Sequence, residues 1–275
     1  FFNFDYGDFY KKGLHLLPTS EDIIYMNKTA RPFFEELMEH GQNQEVINKV
    51  NQFSDQVNDI VYHQAFKILK ENKIPAVLGG DHSSPFGLIR AISEHQSFGI
   101  LHIDAHFDLR KAYLGCEHSH ASIMYNVMTK LDNIESLISI GIRDFCEEEF
   151  NFYENHKKIE CFFDKDLKNS KFNGESWNVI CDKIIQKLPD NVYISFDIDG
   201  LDPKYCPNTG TPVPGGISFN EIEFLLKKLS DQKKIVGFDL VEVAPSEHTE
   251  WDANVGMRML YLLSGAAIKS QTEAV

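Results

Sequence analysis

Long apolar runs, paired cysteines and a surplus of basic residues are what this sequence has least of. No stretch of about 18 consecutive apolar residues occurs, so nothing in it reads as a membrane-spanning helix. Cys116, Cys146, Cys161, Cys181 and Cys206 stand far apart with no CxxC pair, which reads as reduced thiols in a cytoplasmic protein. Lys and Arg number 27 against 41 Asp and Glu, a formal net charge of -14 that disfavours nucleic acid or an anionic membrane as partner and favours cationic ligands. Internal repeats and low-complexity segments are missing as well. With 275 residues, 43% of them hydrophobic, the chain can bury a sizeable core, and residues 1–275 are expected to form a single domain.

What is present is an alternation of short apolar strands with amphipathic helices. Strands are expected over 74–78, 98–103, 137–142, 159–163, 192–197 and 234–242. Helices are expected over 44–71, 84–95, 120–130, 175–187, 218–229 and 253–268. Such a pattern predicts an α/β protein, a mainly parallel sheet between two layers of helices. Functional groups in that architecture gather beyond the carboxyl ends of the strands.

Two acidic clusters stand at such ends. Asp104-Ala105-His106-Phe107-Asp108 follows the apolar run 98–103, and Asp197-Ile198-Asp199 follows 192–196. In an extended segment alternate side chains share a face, so 104, 106 and 108 are expected to point one way, as are 197 and 199. His82, in Gly79-Gly80-Asp81-His82, brings the pooled set to four Asp and two His. Oxygen and imidazole donors without cysteine at ligand spacing suit Mn²⁺ better than structural Zn²⁺. Packed together without cations, ionised carboxylates repel and their pKa values rise, which two divalent ions would cancel.

Plainer roles compete for some of these residues. A single Asp-x-His-x-Asp can be loop capping or an ion-pair network, but its echo in Ser195-Phe196-Asp197-Ile198-Asp199-Gly200-Leu201-Asp202-Pro203 weighs against that. Asp202, followed by Pro203, is expected to fix a turn. His102 reads as a buried, hydrogen-bonded strand residue, and Asp81 as a brace for its turn or an orienting partner of His82.

Five motifs carry a family resemblance. Gly-Gly-Asp-His-Ser at 79–83, Asp-Ala-His-x-Asp at 104–108, Ser-x-Asp-x-Asp-x-x-Asp-Pro at 195–203, Gly-Thr-Pro-x-x-Gly-Gly at 210–216 and Glu-Val-x-Pro at 242–245 occur in the order of the ureohydrolase family of arginases and agmatinases. The sequence resembles that family over nearly its whole length. The resemblance implies an arginase-like fold and a binuclear centre of two Mn²⁺ per chain, held by His82, Asp104, His106, Asp108, Asp197 and Asp199, with Asp104 and Asp199 as the bridging pair. A hydroxide between the metals would attack the guanidinium carbon, because coordination lowers the pKa of water from 15.7 to about 7. Glu242 would grip the guanidinium, Thr211 would line the pocket, and His120, in Ser119-His120-Ala121-Ser122, would deliver a proton to the leaving amine. His120, Glu242 and Asp108 thus make up the implied catalytic set, with His118 a pocket wall or an exposed residue. Thr211 as a plain turn residue and Glu242 as a surface carboxylate are the alternatives. Family members are often trimers or hexamers, so a homo-oligomer is expected. The segment 2–8 resembles one that follows an earlier strand and an Arg-Pro-Gly loop, which are expected to be missing here.

Substrate choice rests on fewer residues. Cys146 stands where arginases carry an Asp that recognises the substrate's α-groups, which favours agmatine, hydrolysed to putrescine and urea in polyamine biosynthesis. Arg110 resembles formimidoylglutamases and could pair with a substrate carboxylate, as in 4-guanidinobutyrate, or sit in an ion pair of its own. Arginase activity is a further alternative. Readings from other classes are a single-zinc deacylase, which would lack the Asp197 and Asp199 pair, and a non-catalytic binding protein.

Overall fold

Parallel strands buried on both faces are mostly apolar, and the central strands of this chain are, with a few buried polar residues such as His102, Ser195 and Asp239 among them. In the computed structural model, which describes residues 2–41 and 43–271, the strands are β1 (Ala76–Leu78), β2 (Phe98–Ile103), β3 (Ile134–Ile140), β4 (Ile159–Phe162), β5 (Asn191–Asp197) and β6 (Lys234–Val241). All pairings are parallel and the order is β1-β6-β5-β2-β3-β4. Pro75, which has no N–H to give a ladder, keeps β1 shorter than the apolar run suggests.

Alternate residues of β2 feed two cores. Leu101 and Ile103 face one built from α7 (Trp177–Gln186), α8 (Phe219–Ser230) and α9 (Trp251–Lys269). Phe98 and Ile100 face another built from α2 (Gln44–Lys70), α3 (Phe86–Ser93) and α4 (Ile123–Lys130). The sheet is therefore the middle of three layers, as the alternation of elements predicts. A further helix, α1 (Glu21–His40), lies on α2 and closes a third, smaller cluster around Leu37, Val46 and Ile47. No helix among the described residues is long and apolar enough to cross a membrane.

Three helices go beyond the sequence expectation: α1, α5 (Glu147–Asn155) and α6 (Asp164–Phe172). α1 and α5 fully bury one residue each, Leu37 and Glu149, and α6 buries two, Asp164 and Leu167, so none carries the fully buried apolar stripe by which helices are read. Side-chain caps mark the starts of α1 and α5, though not of α6. Ser20 accepts the Ile23 N–H at the start of α1, and Cys146 opens α5 with Glu149 folded back on its N–H at 3.0 Å.

The chain runs outward from β2 through β3 to β4, then returns to β5 on the other side of β2. That reversal opens a crevice at the carboxyl ends of β2 and β5, where loops can approach without a crossover between them. They do approach closely. A Cβ built on Gly200 would lie 2.8 Å from the Asp104 nitrogen and 3.1 Å from its Cα. Replacing Gly200 with alanine should force the two loops apart and cost about 1–3 kcal/mol of stability, read from the urea denaturation midpoint. An unchanged midpoint would show that the loops separate freely.

Candidate metal centre

The expected ligands converge, although not by strand alternation. β2 stops at Ile103, and residues 104–108 form a loop in which Asp108 takes a left-handed φ of +54°. Asp197 is the last residue of β5, and Asp199 lies on the 3-10 turn Ile198–Gly200 that follows it. His82 comes from the loop after β1. Its Nδ1 lies 2.9 Å from Asp104 Oδ2, 3.0 Å from Asp108 Oδ2 and 3.4 Å from Asp197 Oδ2. His106 Nδ1 lies 3.1 Å from Asp199 Oδ2 and 3.5 Å from Asp104 Oδ1.

Two adjoining groups result: His82, Asp104, Asp108 and Asp197, then Asp104, His106 and Asp199. Asp104 belongs to both. Asp199, expected to bridge, meets the first group through its N–H, which donates to Asp197 at 2.8 Å, while its carboxylate lies beside His106: its Oδ1 accepts the Ala105 N–H at 3.0 Å and its Oδ2 accepts the Thr211 hydroxyl at 3.3 Å. His102 is buried in β2 with Nδ1 3.1 Å from Ser139 Oγ and Nε2 2.9 Å from Asp104 Oδ2, which holds that carboxylate from behind.

His82 tests whether the donors fit a cation. Its Nδ1 is buried among three carboxylates yet makes no hydrogen bond, because the ring nitrogen is not aligned with any of the three oxygens. Three carboxylate oxygens within 3.4 Å of one ring nitrogen are the surroundings in which a divalent cation can be held. Burial works against charge on His82, but those carboxylates hold its pKa well above the usual imidazole value. Burial and then the Asp104 charge raise Asp108 to about 7, and burial with the Asp199 and Asp104 charges holds Asp197 well above the usual carboxylate range. His106, opposed by burial, is lifted by Asp104 and Asp199 to about 11. Four Asp and two His suit a hard divalent ion such as Mn²⁺.

The remaining expected residues surround this cluster. Glu242 follows β6 at a left-handed φ of +61°, where its Oε1 accepts the His82 main-chain N–H at 3.0 Å. Burial, then the Asp81 charge, raises its carboxyl to about 7. His120 opens the 3-10 turn before α4, its ring 5.4 Å from that of Tyr113. Burial lowers its pKa, against the opposing charge of Asp81, so its imidazole is neutral at neutral pH. His118 points away, toward Asp55 of α2 at 3.3 Å and the Phe86 ring. Arg110 is drawn to Glu149, 3.5 Å away, within its own chain. Asp81 braces its loop by accepting from Ser83 N–H at 3.0 Å, and Asp202 caps its turn through Lys204 N–H at 3.1 Å.

Four residues were not singled out by sequence reasoning: Tyr193, Ser195, Asp239 and Arg143. Asp239 had a visible signal, an acid inside the apolar run of β6, where burial without a partner is costly. Arg143 sends five hydrogen bonds to the carbonyls of Gly141, Asp199, Leu201 and Val213, which ties the loops after β3 and β5.

Comparison with known proteins places this geometry in context. The sequence model of the arginase family matches residues 26–264. The N(1)-aminopropylagmatine ureohydrolase of Thermus thermophilus is 31% identical over 247 residues, which cover 86% of this chain and 80% of that protein. The agmatinase of Halalkalibacterium halodurans is 34% identical over 183 residues, 66% of this chain and 59% of that protein. Of a Methanothermus fervidus relative the chain likewise spans under two thirds, 64%. The crystal structure of agmatine ureohydrolase of Thermoplasma volcanium superposes with a TM-score of 0.66 at 27% identity, covering 92% of this chain and 86% of that one.

A cation must displace the protons that the cluster retains near neutrality, so its uptake should release protons and tighten with pH. Asp108 at about 7 and His106 at about 11 set the direction. Mn²⁺ titrated calorimetrically in two buffers of different ionisation enthalpy should bind more tightly at about pH 8 than at about pH 6. Affinity independent of pH would remove these groups from the ligand set.

Proposed function

The chain belongs to the arginase family, and from that premise we propose that it hydrolyses a guanidino compound to urea and an amine at a binuclear Mn²⁺ centre. One observation carries the reading. The main-chain N–H of His82 holds the Glu242 carboxylate while the His82 ring faces Asp104, Asp108 and Asp197, so a single residue joins the guanidinium grip to the metal ligands.

Two divalent ions on His82, Asp104, Asp108, Asp197 and on Asp104, His106, Asp199 would supply water ionised near neutral pH. The chain's own groups do the rest. Glu242, turned by its left-handed backbone and fixed by His82 N–H, presents Oε2 to a planar cation. Its negative charge offsets the delocalised positive charge that makes guanidinium a poor electrophile, and it orients the carbon. Thr211 adds a hydroxyl beside Asp199. His120, neutral because it is buried, can take up a proton and pass it to the departing amine, which otherwise leaves as an unstable anion.

Agmatine is the substrate we favour, with putrescine and urea as products. Relatives carry agmatinase, aminopropylagmatine ureohydrolase and agmatine ureohydrolase among their names, and the net charge of -14 favours a dication. Cys146 serves as the cap of α5 rather than as an anionic partner for an α-ammonium. A carboxylate-tailed substrate would need Arg110 to leave Glu149, a buried carboxylate that would then lose its cation.

Urea release under Mn²⁺ loading, measured across agmatine, N(1)-aminopropylagmatine, arginine and 4-guanidinobutyrate, should be fastest with an amine-tailed compound. Release from none of them would sink the reading. His120→Ala should keep bound Mn²⁺ while kcat falls by roughly 10² or more. Glu242→Gln should act mainly on KM, and an unaltered KM would free Glu242 from the role of guanidinium grip.

A further inference from the structure

A divalent cation takes the lone pair of a neutral imidazole, so the proton of a ligating histidine has to sit on the opposite ring nitrogen. For His82 the structure supplies a fixed acceptor there. Nε2 lies 2.8 Å from Ser195 Oγ, and Ser195 Oγ donates to Asp239 Oδ2 at 2.9 Å. With its own proton committed to Asp239, Ser195 offers His82 only a lone pair, which makes Nε2 the donor.

Asp239 is built to accept. Tyr193 Oη donates to the same Oδ2 at 2.7 Å, and the Phe196 N–H donates to Oδ1 at 3.1 Å. Three donors converging on one carboxyl group fit a carboxylate, which has no proton to give. The sheet register enforces the arrangement. Tyr193 and Ser195 share a face of β5, Ser195 stands opposite Asp239 on β6, and Gly237 stands opposite Tyr193. A Cβ on Gly237 would meet Ile92 at 2.7 Å and the Tyr193 ring at 3.3 Å, so the missing side chain makes room for the ring. Tyr193, Ser195 and Asp239 are wholly buried and His82 nearly so, which shields the hydrogen bonds from exchange with water.

We propose that Tyr193, Asp239 and Ser195 form a proton-anchoring chain that locks His82 with Nε2 protonated and Nδ1 facing Asp104, Asp108 and Asp197. They are positioning residues for the cation on the His82 side, an assignment that rests on the binuclear reading above. A merely structural quartet between β5 and β6 would support stability and leave cation affinity untouched.

The test compares ion-free wild type with Ser195→Ala, Asp239→Asn and the shape-conserving Tyr193→Phe. Mn²⁺ binding is counted by electron paramagnetic resonance, with thermal melts alongside. Ser195→Ala and Asp239→Asn should bind one of the two ions roughly 10- to 100-fold more weakly and the ion beside His106 as before. Tyr193→Phe should weaken the same ion to a smaller degree, and it carries the comparison should Asp239→Asn fail to fold. In ¹⁵N-histidine NMR of the Zn²⁺-loaded protein, His82 should show a slowly exchanging Nε2–H that loses its protection in Ser195→Ala. Wild-type affinity in every variant, or a proton found on Nδ1, overturns the proposal. A wild type that takes up no divalent ion overturns the metal reading instead, a result the variants cannot mimic.

Discussion

Crowding of like charge at the carboxyl ends of β2 and β5 is the constraint to which the rest of the structure answers. Asp104, Asp108, Asp197 and Asp199 are all buried, and buried carboxylates that cannot pair either take up protons or pull in cations. Each neighbouring element contributes some compensation. His102 and the His106 N–H hold Asp104, the Ala105 N–H holds Asp199, and the Asp199 N–H holds Asp197 at 2.8 Å. Arg143 adds a half-buried positive charge while satisfying loop carbonyls that would otherwise be desolvated without partners. None of these donors sits between the carboxylates and His82 Nδ1, and that is where the unbalanced charge faces.

Backbone strain is concentrated at the same edge. Of the non-glycine residues with left-handed φ, Asp108 and Glu242 are the two placed at the cluster, and such conformations cost on the order of 1–3 kcal/mol unless the surroundings over-determine them. Here they do. The Asp108 carbonyl accepts the N–H groups of Met124 and Tyr125, both at 3.1 Å, so the strained turn also caps the first turn of α4. Glu242 is pinned on both sides, its N–H donating to Gly80 O at 2.9 Å and its carbonyl accepting from Thr209 Oγ1 at 2.9 Å. Glycine would relieve both positions but would remove the carboxylates, so the conformation is retained for the side chain it aims.

Much of this was legible in the amino-acid sequence, for identifiable reasons. Apolar runs that end in acids reveal both the strands and the edge where the cluster sits, because parallel strands are buried on both faces. The helices α1, α5 and α6 were not legible, since they fully bury too few residues to leave a stripe. The expected alternation at 104, 106 and 108 fails physically: the strand has ended, and convergence comes from the reversal at Asp108. The bridging pair Asp104 and Asp199 was an inference from resemblance; the loop geometry puts Asp104 in both groups and Asp199 beside His106. Tyr193 and Ser195 look like ordinary strand residues until the register sets them beside Asp239, a relation no local pattern encodes.

Arg110 shows how one residue can carry a chemical suggestion in sequence and a mechanical duty in the fold. Glu149, almost wholly buried, accepts the Leu109 N–H at 3.1 Å through Oε1 and the Cys146 N–H at 3.0 Å through Oε2. It thereby joins the segment just after Asp108 to the start of α5, and Arg110 Nε lies 3.5 Å from the same Oε2. A buried carboxylate with two backbone donors and one cation tolerates removal of the cation poorly, because its desolvation is then uncompensated. The guanidinium also lies over the Tyr113 ring, 5.8 Å from its centroid, and that ring in turn meets His120. Drawing Arg110 toward a substrate carboxylate would loosen the Asp108 turn and disturb the wall that holds His120. The same contacts that steady the cluster therefore support the proposal of an amine-tailed rather than an acid-tailed substrate.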